Sequence, residues 1–367
     1  MSSRTDTAAL RTFLAGLLEK GIADAVFALR RTPAEGRFCY SLVSDPAIAG
    51  QVLEPFHPVM PVQGAKALAS LTSEGPVDRR IVALLRPCEL RACIELQKQE
   101  QLSMENVTVL SCSCPGVIPA KTVADEEGGR IVREYRESVG RGEEPAGIRD
   151  ACTVCGSLLP VTPVSMTFVL ASDGGAGTGS VCLGDGVSPE IRDLLAGCGI
   201  PVSDRDAVDL AGGMLEARTA RRNAFVGSPA FGDGLDGLVS HFSGCTGCGG
   251  CRAACPVCSC VLCTYVSDRS DLASRTLRLE LEARGAARVP SGTTRFHMGR
   301  LNHISAYCAA CGQCSEACPA GIDVAGVFIR AAGRVQDLTG YRAGADESGD
   351  PLLATFTERE LEDVTDR

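Results

Sequence analysis

At 367 residues the chain is long enough for two or three domains and a sizeable core. Its 20 cysteines do not suit a disulfide framework, which belongs to small secreted domains, and at this density they point to metal in a reducing cytoplasm. A net charge of −9 sets aside a nucleic-acid partner, because phosphate binding needs a basic face.

The N-terminal stretch carries Arg4, Asp6, Arg11 and Glu19, so it lacks the apolar centre of a secretory leader. Leu10, Phe13, Leu14, Leu17 and Leu18 repeat at helical spacing and Gly21 follows as a stop, which predicts an amphipathic first helix. Residues 25–29 and 38–43 read as strands with turn chemistry at Pro33 and Gly36 between them. Residues 63–71 read as a short helix. Residues 80–85 are a near-continuous apolar run suited to a buried strand, and Pro87 starts a helix at a position where its missing N–H costs nothing. Residues 106–110 are the next strand, giving a βαβ unit with a parallel pair. Cys88 falls just past the first strand of that unit, and Cys112 and Cys114 just past the second. Both places are carboxyl ends of parallel strands, where open α/β sheets put their ligands.

Residues 128–147 are charged and glycine-rich and are expected to form a surface excursion leading into Cys152-x-x-Cys155. A strand is predicted over 161–171. The run from Asp173 to Gly179 lacks the helix that a phosphate loop needs, so it reads as a hairpin tip. The longest apolar stretch, 157–171, is broken by Pro160 and Pro163 and is too short to span a bilayer. Residues 206–224 are predicted helical, and 227–237 a linker. After Gly340 the chain turns acidic and is expected to be a mobile or partner-bound tail.

The strongest signal lies between. Cys245-x-x-Cys248-x-x-Cys251-x-x-x-Cys255-Pro256 is repeated as Cys308-x-x-Cys311-x-x-Cys314-x-x-x-Cys318-Pro319. Each has the bacterial ferredoxin spacing, in which three close thiolates hold one cluster and the fourth cysteine reaches the other. This predicts one 4Fe–4S cluster on Cys245, Cys248, Cys251 and Cys318, and another on Cys308, Cys311, Cys314 and Cys255. Zinc sites use four ligands in two pairs, and this array supplies two complete fours.

Leu85-Arg-Pro-Cys-Glu-Leu-Arg91, Cys114-Pro-Gly116 and Cys152-Thr-Val-Cys155 resemble the β subunits of coenzyme F420-reducing hydrogenases and formate dehydrogenases, including bacterial relatives found with heterodisulfide-reductase-type complexes. The resemblance covers most of residues 1–235. It implies a third 4Fe–4S cluster, beside FAD, on Cys88, Cys114, Cys152 and Cys155; the residues alone leave Cys112 and Cys114 as alternatives. The chain departs from the family at Pro163-Val-Ser-Met166, and no residue is assigned to the flavin. The run from His297 to Asp323 is similar to the helical ferredoxin domain of heterodisulfide reductase C subunits and succinate dehydrogenase iron–sulfur subunits.

The expected fold is an α/β domain with a partly parallel sheet (1–235), a mainly α-helical dicluster ferredoxin domain (236–335) and an acidic tail (336–367). The expected function is an iron–sulfur electron-transfer subunit of a cytoplasmic oxidoreductase. Its partners would be a hydrogenase-, formate dehydrogenase- or flavin-type subunit on one side and a heterodisulfide reductase-like subunit on the other. Two alternatives stand beside it: a self-sufficient flavin-dependent F420 oxidoreductase, and a cluster-bearing redox sensor without catalysis. Cys258, Cys260 and Cys263 read equally as further ligands or as an inert set. His297 and His303 either hydrogen-bond cluster sulfurs or cap and pack helices. Arg91 either meets a flavin phosphate or is a solvated surface residue. Cys39, Cys182 and Cys198 read as core.

Overall fold

The computed structural model describes residues 5–34, 36–123, 127–160, 164–169, 180–229, 234–266 and 274–352. In chain order the elements are α1 (Thr5–Glu19), β1 (Ala25–Arg31), β2 (Phe38–Val43), α2 (Pro46–Val52), α3 (Gly64–Thr72), β3 (Ile81–Leu84), α4 (Pro87–Lys98), β4 (Val107–Cys112), α5 (Ala120–Val123), α6 (Gly128–Gly140), α7 (Asp150–Thr153), β5 (Met166–Val169), β6 (Ser180–Leu183), α8 (Pro189–Gly197) and α9 (Ala207–Gly227). Then come α10 (Gly234–His241), α11 (Gly250–Ala254), a 3-10 turn (Thr264–Val266), α12 (Ser274–Arg284), α13 (Thr293–Ile304), α14 (Gln313–Glu316) and α15 (Val324–Thr339). Among the described residues after 234 there are helices and no strand.

The six strands form one mixed sheet in the order β2-β1-β3-β4-β5-β6. β1, β3, β4 and β5 run parallel, and β2 and β6 close the edges antiparallel. The period of two decides the layers. Val26 and Ala28, Val82 and Leu84, Leu110 and Cys112 face α1 and α8, where Phe13, Leu14, Leu17 and Leu195 are fully buried. Phe27, Ile81, Ala83 and Val109 face the other way, onto α3 and α4 through Ala65, Leu68, Leu90 and Ile94. Each such large apolar side chain contributes roughly 1.5–3 kcal/mol by burial.

Three expectations change. Residues 128–147 are not a surface excursion: α6 occupies 128–140 and buries Val132, Tyr135 and Val139 against Val59, Ile118 and Ile148. The described strand in the 161–171 region is only Met166–Val169, and 161–163 and 170–179, with the expected hairpin tip, lie outside the described residues. The chain beyond 340 is not loose where it is described. α15 runs past 335 to Thr339, Tyr341 donates to Glu95 at 2.8 Å, and the Gly344 N–H donates to the same carboxylate at 2.6 Å, fixing the segment on α4. Residues 353–367 lie outside the described set, as do 230–233 of the expected linker.

Candidate metal centres

The sheet edge is built first. β3 and β4 pair in register from Ile81↔Val107 to Leu84↔Leu110, so the segments leaving their carboxyl ends emerge side by side. After β3 the chain turns straight into α4, with Arg86 at the N-cap and Pro87 at the first position, which sets Cys88 in the first turn. Glu89 locks that turn. One of its oxygens accepts the Arg86 N–H and the other the Gly64 N–H, each at 2.8 Å. After β4, the Cys114 N–H donates to the Leu158 carbonyl at 2.7 Å, tying the loop to the segment that follows Cys155. Gly116 has a φ of +108°, and a Cβ there would stand 3.1 Å from Cys152 Cβ, so a glycine is what lets α7 close over the loop.

Cys88, Cys114, Cys152 and Cys155 line one hollow, and Cys311 of the second ferredoxin run lines it too. A buried cation is aimed into it: Arg86 Nη1 donates to Cys114 Sγ at 3.2 Å, while Nη2 holds the carbonyls of Phe56 and His57. The Cys114 thiol is held well below its ordinary value. The chief cause is the hydrogen bond from Cys112, and the Arg86 charge adds to it against the effect of burial. Burial pushes Cys88 well up, with Glu89 adding to it, and pushes Cys152 up to about 12.

The two ferredoxin runs fold alike. In each, the second residue after the first cysteine and the residue after the second cysteine have positive φ: Gly247 (+70°) and Gly249 (+71°), Ala310 (+57°) and Gly312 (+74°). These two left-handed steps reverse the chain around each middle cysteine. They also turn a backbone N–H onto the first sulfur, Gly247 N to Cys245 Sγ at 3.5 Å and Ala310 N to Cys308 Sγ at 3.4 Å. The short helices that follow, α11 and α14, pack on each other. The fourth cysteines cross over. The sulfurs acting on Cys251 are those of Cys245, Cys318 and Cys248, whereas Cys314 feels Cys255, Cys311 and Cys308; burial raises both thiols first.

The second run is bolted to the sheet domain. Arg149, at the N-cap of α7, donates to Gln313 Oε1 at 2.9 Å and to the Met60 carbonyl at 2.7 Å, and its Nε lies 3.2 Å from Glu316 Oε2. Gln313 Nε2 reaches the Pro61 carbonyl at 3.1 Å. Arg91 is buried rather than solvated, and it donates to the carbonyls of Ala343 (2.7 Å) and Ala309 (3.5 Å) and to Ser157 Oγ (3.1 Å).

Residues 241–322 match the protein family described as "4Fe-4S dicluster domain". The chain carries a dicluster domain. It is also similar to the F420-dependent formate dehydrogenase subunit β of Methanocaldococcus jannaschii, with 41% identity over 66 residues, and to the F420-dependent formate dehydrogenase 1 subunit β of Methanococcus maripaludis, with 28% identity over 114 residues. Those stretches cover 18% and 30% of this chain, and only 17% and 27% of the relatives' own lengths. A chain of the F420-reducing [NiFe] hydrogenase complex from Methanosarcina barkeri superposes with a TM-score of 0.44 and 11% identity, over 59% of this chain and 83% of that one; so loose a likeness carries no argument.

The side chains around the dicluster domain fit iron–sulfur chemistry. Arg300 is 2% exposed and donates to Cys251 Sγ at 3.1 Å, and His297 Nε2 lies 3.3 Å from Cys245 Sγ with its ring stacked on Phe242. A buried guanidinium aimed at sulfur favours the anionic form of that sulfur, which is the form a metal-bound thiolate has.

The remaining sulfurs divide. Cys93 and Cys112 are buried in the two sheet cores. Cys258 lies near Cys255, Cys260 is exposed, and Arg252 donates to the Cys260 carbonyl. Cys39 and Cys182 are only partly buried rather than core, with Cys39 Sγ 3.5 Å from Ser41 Oγ, whereas Cys198, also partly buried, packs against the core under α1 and α8. His303 meets the edge of Tyr265. The residues that sequence reasoning passed over are Arg86, Arg300 and Tyr135, whose hydroxyl donates to the Gly116 carbonyl at 2.7 Å. Arg86 and Arg300 stood inside the quoted motifs but had no partner legible there. Tyr135 had a signal, since Val132, Tyr135 and Val139 share one helical face.

Proposed function

We propose that the chain is the iron–sulfur relay subunit of a cytoplasmic oxidoreductase complex, with three 4Fe–4S sites in series. The observation that carries this is Cys311: it stands in the second ferredoxin run and also lines the hollow ringed by Cys88, Cys114, Cys152 and Cys155. We assign the outer site to Cys245, Cys248, Cys251 and Cys318, the inner to Cys308, Cys311, Cys314 and Cys255, and the sheet-edge site to Cys88, Cys114, Cys152 and Cys155. Residues up to about 235 would carry the sheet-edge site, and those after it the other two. Bound there, each cluster supplies one-electron storage.

The chain's own residues prepare these places. They bury or half-bury the sulfurs apart from Cys248, which is exposed, and aim Arg86 and Arg300 at two of them. Burial raises Cys311 to about 11 and Cys152 to about 12, so these thiols keep their protons until metal replaces them, and assembly releases protons. Beside Ser157, two residues from Cys155, opens a cleft of about 750 Å3 lined by Arg91, Arg222, Arg334, Gln336 and Arg342, the last of these paired with Asp337, which also lines it. Its size and charge suit a phosphate-bearing cofactor, and it is where FAD would stand next to the sheet-edge site. A hydrogenase-, formate dehydrogenase- or flavin-type subunit would meet that side, and a heterodisulfide reductase-like subunit the outer site.

The cleft also favours a second reading, a self-sufficient F420 oxidoreductase. Anaerobic purification with native partners, followed by flavin analysis and deazaflavin turnover, separates the two. A relay co-elutes with a redox subunit and the isolated chain turns over no deazaflavin. Tight stoichiometric flavin with turnover by the chain alone would replace the relay. Loaded clusters that exchange electrons with no co-eluting subunit would replace it with a sensor.

A further inference from the structure

The two ferredoxin runs share a backbone plan, but their sulfurs do not receive the same partners. In the outer set, Cys251 Sγ takes a hydrogen bond from Arg300 Nη1 at 3.1 Å, and Arg300 Nη2 holds the Cys251 carbonyl at 3.2 Å. The guanidinium is sealed between the rings of Phe328 and Phe296, 4.8 and 5.5 Å from their centroids. His297 Nε2 lies 3.3 Å from Cys245 Sγ, and Cys248 is exposed to solvent. In the inner set, the contact to Cys308 Sγ is the Ala310 backbone N–H, and Cys311 likewise has a backbone bond, from Gln313. Arg91, Arg149 and Arg222 act on this set by charge alone, and buried Glu89 opposes them at Cys311. The charge of Arg300 also reaches Cys255, Cys314 and Cys308 of the inner set, but its direct hydrogen bond is to Cys251 Sγ of the outer one.

Adding one electron adds one negative charge to a site. A desolvated cation in direct contact with a ligating sulfur favours that added charge, and so do hydrogen bonds to sulfur and exposure to solvent. All three meet at the outer set. Resting on the three-site reading above, we infer that Arg300 is the positioning residue that makes the outer site, on Cys245, Cys248, Cys251 and Cys318, the highest in reduction potential of the two ferredoxin-type sites. A single electron shared between the two then rests on the outer one: what the inner site loses, the outer gains.

The test is an EPR-monitored redox titration of the full chain, isolated anaerobically and with iron content measured. Cys248→Ser is expected to remove or alter the higher-potential of the two ferredoxin-type signals. Arg300→Met is expected to disfavour reduction at that signal at least tenfold, a fall of about 59 mV for one electron, and to lower the other ferredoxin-type signal by less, because Arg300 reaches the inner set by charge without a hydrogen bond to its sulfurs. Arg300→Lys, which keeps the charge and loses the fork, is expected to shift it less. Loss of the lower-potential signal in Cys248→Ser overturns the order of potentials. An equal shift of both signals, or none, in an iron-replete Arg300 variant overturns the role of Arg300. If Arg300→Met does not hold its iron, Arg300→Lys and Cys248→Ser still decide. Wild-type protein without iron–sulfur clusters would overturn the three-site reading itself.

Discussion

Arg86 closes the first turn of α4 and reaches across to Cys114, so one side chain couples the end of β3 to the end of β4. Replacing it by Met removes the donor to Cys114 Sγ and to the Phe56 carbonyl, and leaves the His57 carbonyl with the Val59 N–H alone. A hydrogen bond to a charged group contributes about 1.5–3 kcal/mol. Arg86→Met is therefore expected to unfold at lower denaturant concentration and to lose iron from the sheet-edge site before the other two. Unchanged iron retention under mild chelation would contradict that role. Next to it, His57 carries the pH dependence. Burial first, then the charges of Arg136 and Arg86, push its pKa from 6.5 down to about 3. The unfolded imidazole takes a proton below pH 6.5 and the folded one does not. Its contribution is thus full above pH 6.5 and is lost at about 1.4 kcal/mol per pH unit as pH falls toward 3. Between pH 7.5 and 5.5, wild type is expected to lose more stability than His57→Phe in denaturant titrations. Parallel losses in the two proteins would show that His57 titrates normally in the fold.

At the scale of elements, the fold was legible where one physical signal dominated. The apolar run at 80–85 and Pro87 predicted β3 and α4, and Leu10 to Leu18 predicted α1. The double cysteine spacing predicted where the dicluster domain lies. α6 was hidden because glycines and charges mask three buried positions, and the 341–344 segment because its anchor, Glu95, lies far away in sequence. Strand order across β1, β3, β4 and β5 depends on long-range pairing that local pattern does not encode. The same holds for α14 meeting α7. A Cβ on Gly312, at φ +74°, would stand 2.6 Å from Ala151 Cβ, whereas Gly249, the equivalent residue of the first run at φ +71°, has nothing within 4 Å. Gly249→Ala should cost only the left-handed backbone penalty, about 1–2 kcal/mol. Gly312→Ala should cost about 1–3 kcal/mol more through overpacking, and weaken docking of the second run. Thermal unfolding of the pair measures this, and equal losses would contradict close docking at that point.

For the whole molecule, a mixed α/β sheet is joined to the dicluster domain through Arg149, Gln313, Arg91 and Tyr341, and Cys311 of the second run lines the same hollow as the four sheet-edge cysteines. No helix among the described residues is long and apolar enough to cross a membrane. The proposed sheet-edge site would separate a relay from an ordinary two-cluster ferredoxin, because core packing alone does not ask for four cysteines around one hollow. Iron and acid-labile sulfide per chain, measured on anaerobically isolated wild type and on Cys152→Ser, test it most directly. About twelve iron atoms are expected for wild type, four per cubane, and about eight for the variant, with the outer and inner signals still visible by EPR. Equal iron in the two proteins, or zinc in place of iron, would contradict it.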